Sequence, residues 1–175
     1  MYKLTPIIQK NIKELLGKKE ILLDSIERYG SPLNVLFPDN MSSNIEVFLE
    51  IFDKYDIDGK IFFAHKPNKS KVFSYEAFQN GVNIDVASVN ELQNAIDAGF
   101  SSNQIEATGP KSKSFLKACI EHDIYINVDS FFELDAIKEL ASHKVKVLVR
   151  LSKFESNKFQ IASKLERFVI EFSKV

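Results

Sequence analysis

The sequence predicts an α/β protein with parallel strands, and two observations support this fold class. Short apolar segments that are typical of strands begin near Ile61, Asn83, Ile105, Ile124 and Val145, about 20 residues apart. Amphipathic helical segments lie between them. Strands that alternate with helices run parallel and are joined by right-handed crossovers, so a β/α barrel and a doubly wound sheet are the two candidate folds.

Residues 1–29 are predicted to be helical, with an interruption at Gly17, because apolar side chains recur at helical spacing on both sides of that glycine. A Gly-Ser-Pro sequence then breaks the pattern, and residues 33–37 read as a strand. Ser43 and Glu46 have the spacing of a capping box, which predicts that the next helix starts there.

Four helices are predicted between the five strands. They cover residues 72–79, 91–98, 113–122 and 131–141. Ser88 with Glu91 and Ser130 with Glu133 form capping boxes for two of them. A last helix is expected at residues 161–174, with no strand after it, so the repeating pattern of five units stops part-way.

Charge and composition exclude several classes of partner. The 23 basic and 24 acidic side chains give a net charge of -1, which does not suit nucleic acid or an anionic membrane surface. No apolar run reaches transmembrane length. The single cysteine, Cys119, excludes an internal disulfide, and we interpret it as a packing residue. A cytoplasmic location is therefore the prediction.

Polar side chains gather where the predicted strands end. Residues 61–64 are four apolar residues in a row, which predicts a strand buried on both faces, and Lys66 stands just beyond it. The carboxyl ends of parallel strands meet at one edge of a sheet or barrel, where ligands bind. We therefore expect Lys66, Asp85 and Arg150 to point into one mouth.

Each of these residues has two interpretations. Lys66 is either a solvated lysine or a reactive amine that can form a Schiff base. Asp85 could be satisfied by backbone donors, and Glu91 could be only the second half of a helix cap. Arg150 ends a valine-rich strand, where a buried guanidinium needs an acidic partner or an anionic ligand. Lys111 belongs to a basic cluster that we interpret as a solvated face, with phosphate binding as the weaker alternative.

These residues carry a family resemblance. Phe63-Ala64-His65-Lys66-Pro67-Asn68 resembles the strand-end lysine motif of fold-type III pyridoxal-phosphate enzymes, in particular the diaminopimelate, ornithine and arginine decarboxylases. Asp85-Val86-Ala87-Ser88, followed by Glu91-Leu92, matches the next motif of that group. Later motifs are resembled, in order, by residues 108–112, 126–134 and 149–151.

The resemblance implies a partial (β/α)8 TIM-type barrel, the alanine-racemase-like N-terminal barrel domain, with about five parallel βα units. It also implies pyridoxal 5'-phosphate as the cofactor, with Lys66 forming the internal aldimine. Asp85, Glu91 and Arg150 would form the polar network around the lysine and the cofactor ring. The implied activity is decarboxylation of an amino-acid substrate of the diaminopimelate or ornithine type, in a full-length homodimer. A fold-type III racemase and a non-catalytic relative that binds or regulates are the alternatives.

The departures from the family pattern also carry expectations. His65 replaces an apolar residue, Pro67 replaces a small one, and Gln160 stands where glycine is usual. Residues 1–40 are expected to form a helical arm with a leading strand, and residues 41–175 the first part of a barrel. The later barrel strands and a C-terminal β-domain are expected to lie outside this chain, so we expect the 175 residues alone to be inactive.

Overall fold

A computed structural model of the chain describes residues 8–150, which fall into two compact units divided between Asn40 and Met41. In the first unit, α1 (Lys10–Gly17) and α2 (Lys19–Tyr29) confirm the predicted interruption near Gly17. Residues 33–37 are not in a strand, so that prediction is wrong. The reason is that no strand among the described residues pairs with them.

The helix α3 (Asp39–Lys54) begins four residues before the predicted capping box. Ser43 therefore lies inside the helix, and the prediction of a helix start at that serine is wrong. Asp39 instead occupies the first turn, where its negative charge is favourable at the positive end of the helix dipole.

Five parallel strands form one sheet in the order of the chain, which confirms the predicted fold class. The strands are β1 (Phe62–Ala64), β2 (Asn83–Val86), β3 (Ile105–Ala107), β4 (Tyr125–Val128) and β5 (Val147–Val149). The helices between them are α4 (Lys71–Gln79), α5 (Val89–Ala98), α6 (Lys113–Glu121) and α7 (Phe131–Leu140). The helix predicted at residues 161–174 lies outside the described residues.

The two faces of this sheet differ in what covers them. On the first, which we call the helix face, Ile84, Ile105 and Ile126 are fully buried in the core with the apolar sides of α4–α7. Burying each such side chain contributes about 1.5–3 kcal/mol. On the second, the open face, Phe62 and Ala64 are exposed, so the prediction that β1 is buried on both faces is wrong. Within residues 8–150, only the helix face of β1 is covered.

Side-chain caps fix where two of the helices begin, as predicted. The Ser88 hydroxyl accepts the Glu91 backbone N–H at 3.3 Å, and the Ser130 hydroxyl accepts the Glu133 backbone N–H at 3.2 Å. Both helices start immediately after the carboxyl ends of strands, so the caps also fix the loops at that edge of the sheet. Across residues 8–150, the helices are too short or too polar to cross a membrane.

Candidate active site

Lys66 lies two residues beyond β1, at the carboxyl edge of the sheet. Its side chain is exposed, and it forms no hydrogen bond or ion pair with another described residue. Two other lysines at this edge are engaged: Lys69, in the same loop as Lys66, pairs with Glu91 at 3.3 Å, and Lys111, after β3, pairs with Glu133 at 3.3 Å. Lys66 thus differs from both of these lysines in having an amine that no other described residue engages.

The open face next to Lys66 carries an array of hydrogen-bonded polar side chains. Strand register places Ala64 beside Asp85 and Asp85 beside Glu106, so all three project from the same face. The Thr108 hydroxyl donates to Asp85 Oδ1 at 2.6 Å, and the Asn127 amide donates to Glu106 Oε1 at 3.0 Å. The array thus holds two carboxylates on neighbouring strands, each with its own donor.

The Asp85 carboxyl group has a pKa above its usual value, chiefly because it is removed from water. The hydroxyl of Thr108 opposes this shift, while the negative charges of Glu106 and Glu91 add to it. A carboxyl group in this setting holds a proton more readily than an exposed one. Asp85 is therefore a carboxyl group that could exchange a proton with a group bound at the open face.

Arg150 and Lys66 follow the two outermost strands of the sheet, β5 and β1. Four strand spacings separate β1 from β5, or about 19 Å measured along the sheet. Arg150 Nε is 3.2 Å from Asp129 Oδ1, and the arginine side chain is 41% exposed. The expectation of a buried guanidinium is therefore wrong, whereas the expected acidic partner is present. Lys66 and Arg150 thus both lie at the carboxyl ends of strands, but they are far apart along the sheet.

Glu91 is held by the loop that it caps. Its carboxylate is 1% exposed, accepts the Ala87 N–H at 2.9 Å and the Ser88 hydroxyl at 3.2 Å, and pairs with Lys69. These contacts occupy both carboxylate oxygens with groups of the protein. The structure thus gives Glu91 the helix-cap environment that its spacing from Ser88 predicts.

His65 points away from the mouth although it is next to Lys66 in sequence. Its ring is fully buried, and its Nε2 is 3.1 Å from the Ser74 hydroxyl and 3.4 Å from the Asn94 amide nitrogen. Burial lowers the pKa of this imidazole, so the neutral ring is favoured. The side chain that departs from the family motif therefore belongs to the helix face and its packing.

The environment of Lys111 differs from the solvated face that was predicted for the basic cluster. Its side chain is fully buried rather than solvated, and its ammonium group donates to the Gly109 carbonyl at 2.7 Å as well as pairing with Glu133. With its donors directed at these groups, the ammonium serves to join two loops. The solvated-face interpretation is wrong for this lysine.

The sequence interpretation missed Glu106 as a member of the open-face array. A signal was available, since Ile105-Glu106-Ala107-Thr108 alternates apolar and polar residues with the period of two that a strand requires. That alternation places Glu106 and Thr108 on the same face as the strand-end polar residues.

Comparison with known proteins shows which family residues 41–168 resemble. Residues 41–168 match the family described as "Pyridoxal-dependent decarboxylase, pyridoxal binding domain". Diaminopimelate decarboxylase of Bacillus methanolicus is 31% identical over 153 residues, which are 85% of this chain and 35% of that protein. An uncharacterized protein, y4yA, of Sinorhizobium fredii is 33% identical over 134 residues, 75% of this chain and 29% of that protein. The chain thus spans about a third of the length of these relatives.

Solved structures match the described fold. Diaminopimelate decarboxylase of M. jannaschii, in complex with L-lysine, has a TM-score of 0.64 and 29% identity, and covers 74% of this chain and 32% of its own. A lysine/ornithine decarboxylase of Vibrio vulnificus, complexed with putrescine, has a TM-score of 0.63 at 21% identity and covers 86% of this chain and 39% of its own. The second likeness concerns the fold alone. Both matches agree with a partial barrel.

Proposed function

This chain belongs to the pyridoxal-dependent decarboxylase family, and from that premise we propose that it is part of an enzyme that removes a carboxylate from an amino acid. We further propose that Lys66 is the residue to which pyridoxal phosphate is attached. The observation that carries this assignment is the uncommitted amine of Lys66 at the carboxyl edge of the sheet. Diaminopimelate or a similar amino acid is the proposed substrate class, by analogy with the named relatives.

The described residues fit the aldehyde end of this cofactor. A free amine is required there, and Lys66 is not engaged by any other residue between 8 and 150. Asn127 Oδ1 on the same face is buried and accepts no hydrogen bond within the described residues, so it can accept one from a bound group. Lys66 and the open-face array would therefore hold the cofactor from one side.

When bound, pyridoxal phosphate supplies a ring that takes up the electron pair left by a departing carboxylate. The residues of this chain would supply binding and proton transfer. Lys66 would carry a proton on Nζ to the substrate α-carbon. Asp85 would exchange a proton with the bound group at the open face, and Arg150 would bind an anionic group where it faces solvent beside Asp129. Glu91 would contribute through the loop that it caps.

The attachment of the cofactor to Lys66 can be tested directly. Pyridoxal phosphate is added to the chain, borohydride makes the linkage permanent, and peptide mass spectrometry locates the adduct. Lys66 is expected to be labelled at lower cofactor concentration than Lys60, an exposed lysine that precedes β1. Labelling that is equal on both lysines, or total labelling that Lys66→Ala leaves unchanged, would contradict the proposal and favour a non-catalytic relative.

Turnover is proposed for a protein of the relatives' length rather than for the 175 residues alone. The chain spans about a third of those relatives, and the matched family region is a cofactor-binding domain. We propose that these residues bind the cofactor without decarboxylating an amino acid by themselves, and that the whole enzyme is a cytoplasmic homodimer. Residues 1–40 would then be an arm and residues 41–175 the first part of the barrel.

A further inference from the structure

The loop that carries Lys66 is tied to the next loop by an ion pair. Lys69 lies three residues after Lys66, and its ammonium group is 3.3 Å from Glu91 Oε1. The lysine side chain is 66% exposed, whereas the glutamate carboxylate is 1% exposed and is fixed by the Ala87 N–H. An exposed side chain on the Lys66 loop is thus anchored to a buried carboxylate on α5.

The same arrangement occurs again 42 residues later. Lys111 pairs with Glu133, whose carboxylate accepts the Asp129 N–H at 3.0 Å, as that of Glu91 accepts the Ala87 N–H at 2.9 Å. A surface pair repeats with the same offset, as Lys71–Asp97 at 3.0 Å and Lys113–Glu139 at 2.8 Å. The helix caps of α5 and α7, at Ser88 and Ser130, are also 42 residues apart.

This repeat indicates that Glu91 belongs to the scaffold. Position 108, the equivalent of Lys66 in the second copy, is a threonine, yet Glu133, like Glu91, accepts the backbone N–H four residues before it and pairs with a lysine ammonium. A glutamate that needs a cofactor contact would not be expected to recur where the lysine is missing. Each copy instead uses its Lys–Glu pair to join one strand-end loop to the next.

We propose that Glu91 and Lys69 are positioning residues, whose ion pair fixes the loop that presents Lys66 to the cofactor. This inference rests on the proposed attachment of pyridoxal phosphate to Lys66, and it assigns Glu91 a role through Lys69 in place of direct contact with the cofactor. The loop has other restraints, since the Ser70 N–H donates to Asn68 Oδ1 at 3.1 Å and the Asn68 N–H to the His65 carbonyl at 3.2 Å. The Lys69–Glu91 ion pair therefore adjusts the position of a loop that is already formed.

The test compares Lys69→Met and Glu91→Gln with Lys71→Met. Methionine keeps the apolar stem of lysine, and glutamine can still accept the Ala87 N–H, so the first two variants remove the ion pair and little else. Lys71→Met is the matched control, because Lys71 is two residues away, is 62% exposed and forms a surface pair of its own. The cofactor concentration for half-labelling of Lys66 and the amide hydrogen exchange of residues 65–70 are measured on the full chain.

Either variant of the pair is expected to raise the half-labelling concentration by up to about fivefold, the upper range for a pair with one exposed partner. The double variant is expected to show no larger effect than either single one. Exchange of residues 65–70 should rise in the same variants and stay at the wild-type level in Lys71→Met.

Two outcomes separate this inference from the proposed function. If residues 65–70 exchange at the wild-type rate in Lys69→Met, or if Lys71→Met has an equal effect on exchange, the positioning role of the Lys69–Glu91 pair is wrong, whether or not Lys66 binds the cofactor. If the exchange pattern is as expected but wild-type Lys66 is labelled no more readily than Lys60, the attachment proposal and its positioning role fail, and only the tie between the two loops stands.

Discussion

Replacing Lys111 with methionine should destabilise the fold by breaking a buried ion pair. The Lys111 ammonium is fully buried, lies 3.3 Å from Glu133 Oε2 and donates to the Gly109 carbonyl. At an effective dielectric constant of about 20, two unit charges at that distance attract by about 5 kcal/mol before desolvation is counted. Lys111→Met leaves the carboxylate buried without its cation.

The expected loss in the free energy of unfolding is about 3 kcal/mol, the low end of the range for breaking a buried pair. The low end applies because Glu133 keeps the N–H groups of Lys111 and Asp129 at 3.2 and 3.0 Å, and because it sits in the first turn of α7. Two backbone donors and the helix dipole therefore still stabilise the unpaired charge.

Urea denaturation of wild type, Lys111→Met, Glu133→Gln and the double variant measures this loss. The double variant should be more stable than the sum of the single losses predicts, because it removes both charges while glutamine keeps the backbone hydrogen bonds. A loss below about 1 kcal/mol in Lys111→Met, or strict additivity in the cycle, would refute the reasoning that the pair is buried and coupled.

Two further predictions concern groups on the helix face. Burial raises the pKa of the Cys119 thiol to about 12. Native protein at pH 8 should therefore resist a thiol reagent that reacts at once with protein unfolded in urea. Rapid labelling of the native protein would contradict this burial. Burial lowers the pKa of His65, so below pH 6.5 the unfolded chain binds the proton before the folded one does. The free energy of unfolding should therefore fall as the pH drops from 6.5 toward the lowered pKa of His65 in the folded protein. The urea midpoint of His65→Gln should fall less between pH 7.5 and 5.5 than that of wild type. An equal fall would argue against a neutral buried ring.

The order of strands and helices along the chain could be predicted from the sequence, because each strand and helix has a strong local signal. Five apolar segments and two serine caps were sufficient to place β1–β5 and the starts of α5 and α7. The predicted start of α3 was wrong because Asp39 and Ser43 both suit the N-terminus of a helix, and local sequence alone does not choose between them. The unpaired residues 33–37 failed as a strand for the reason that pairing depends on a partner, which local pattern does not reveal.

The site was predictable only in part. Strand-end position and motif identified Lys66, Asp85 and Arg150 as residues of one edge. Their separation could not be predicted, because it depends on strand order: Lys66 follows the first strand and Arg150 the fifth. Similarly, the sequence does not distinguish an exposed lysine from Lys111, since burial of a charge depends on the distant Glu133.

The two faces of the sheet are covered differently, and this difference explains why adjacent residues have unrelated environments. His65 and Lys66 are neighbours in sequence, yet one is buried among α4 and α5 and the other is exposed at the carboxyl edge. The Lys–Glu pairs and caps lie where loops meet helices, whereas Asp85, Thr108 and Glu106 occupy the open face. The open-face groups bond mainly to one another, so changing them should affect cofactor labelling more than the free energy of unfolding. Changing a Lys–Glu pair of the repeat should instead lower the free energy of unfolding where the pair is buried, as it is at Lys111.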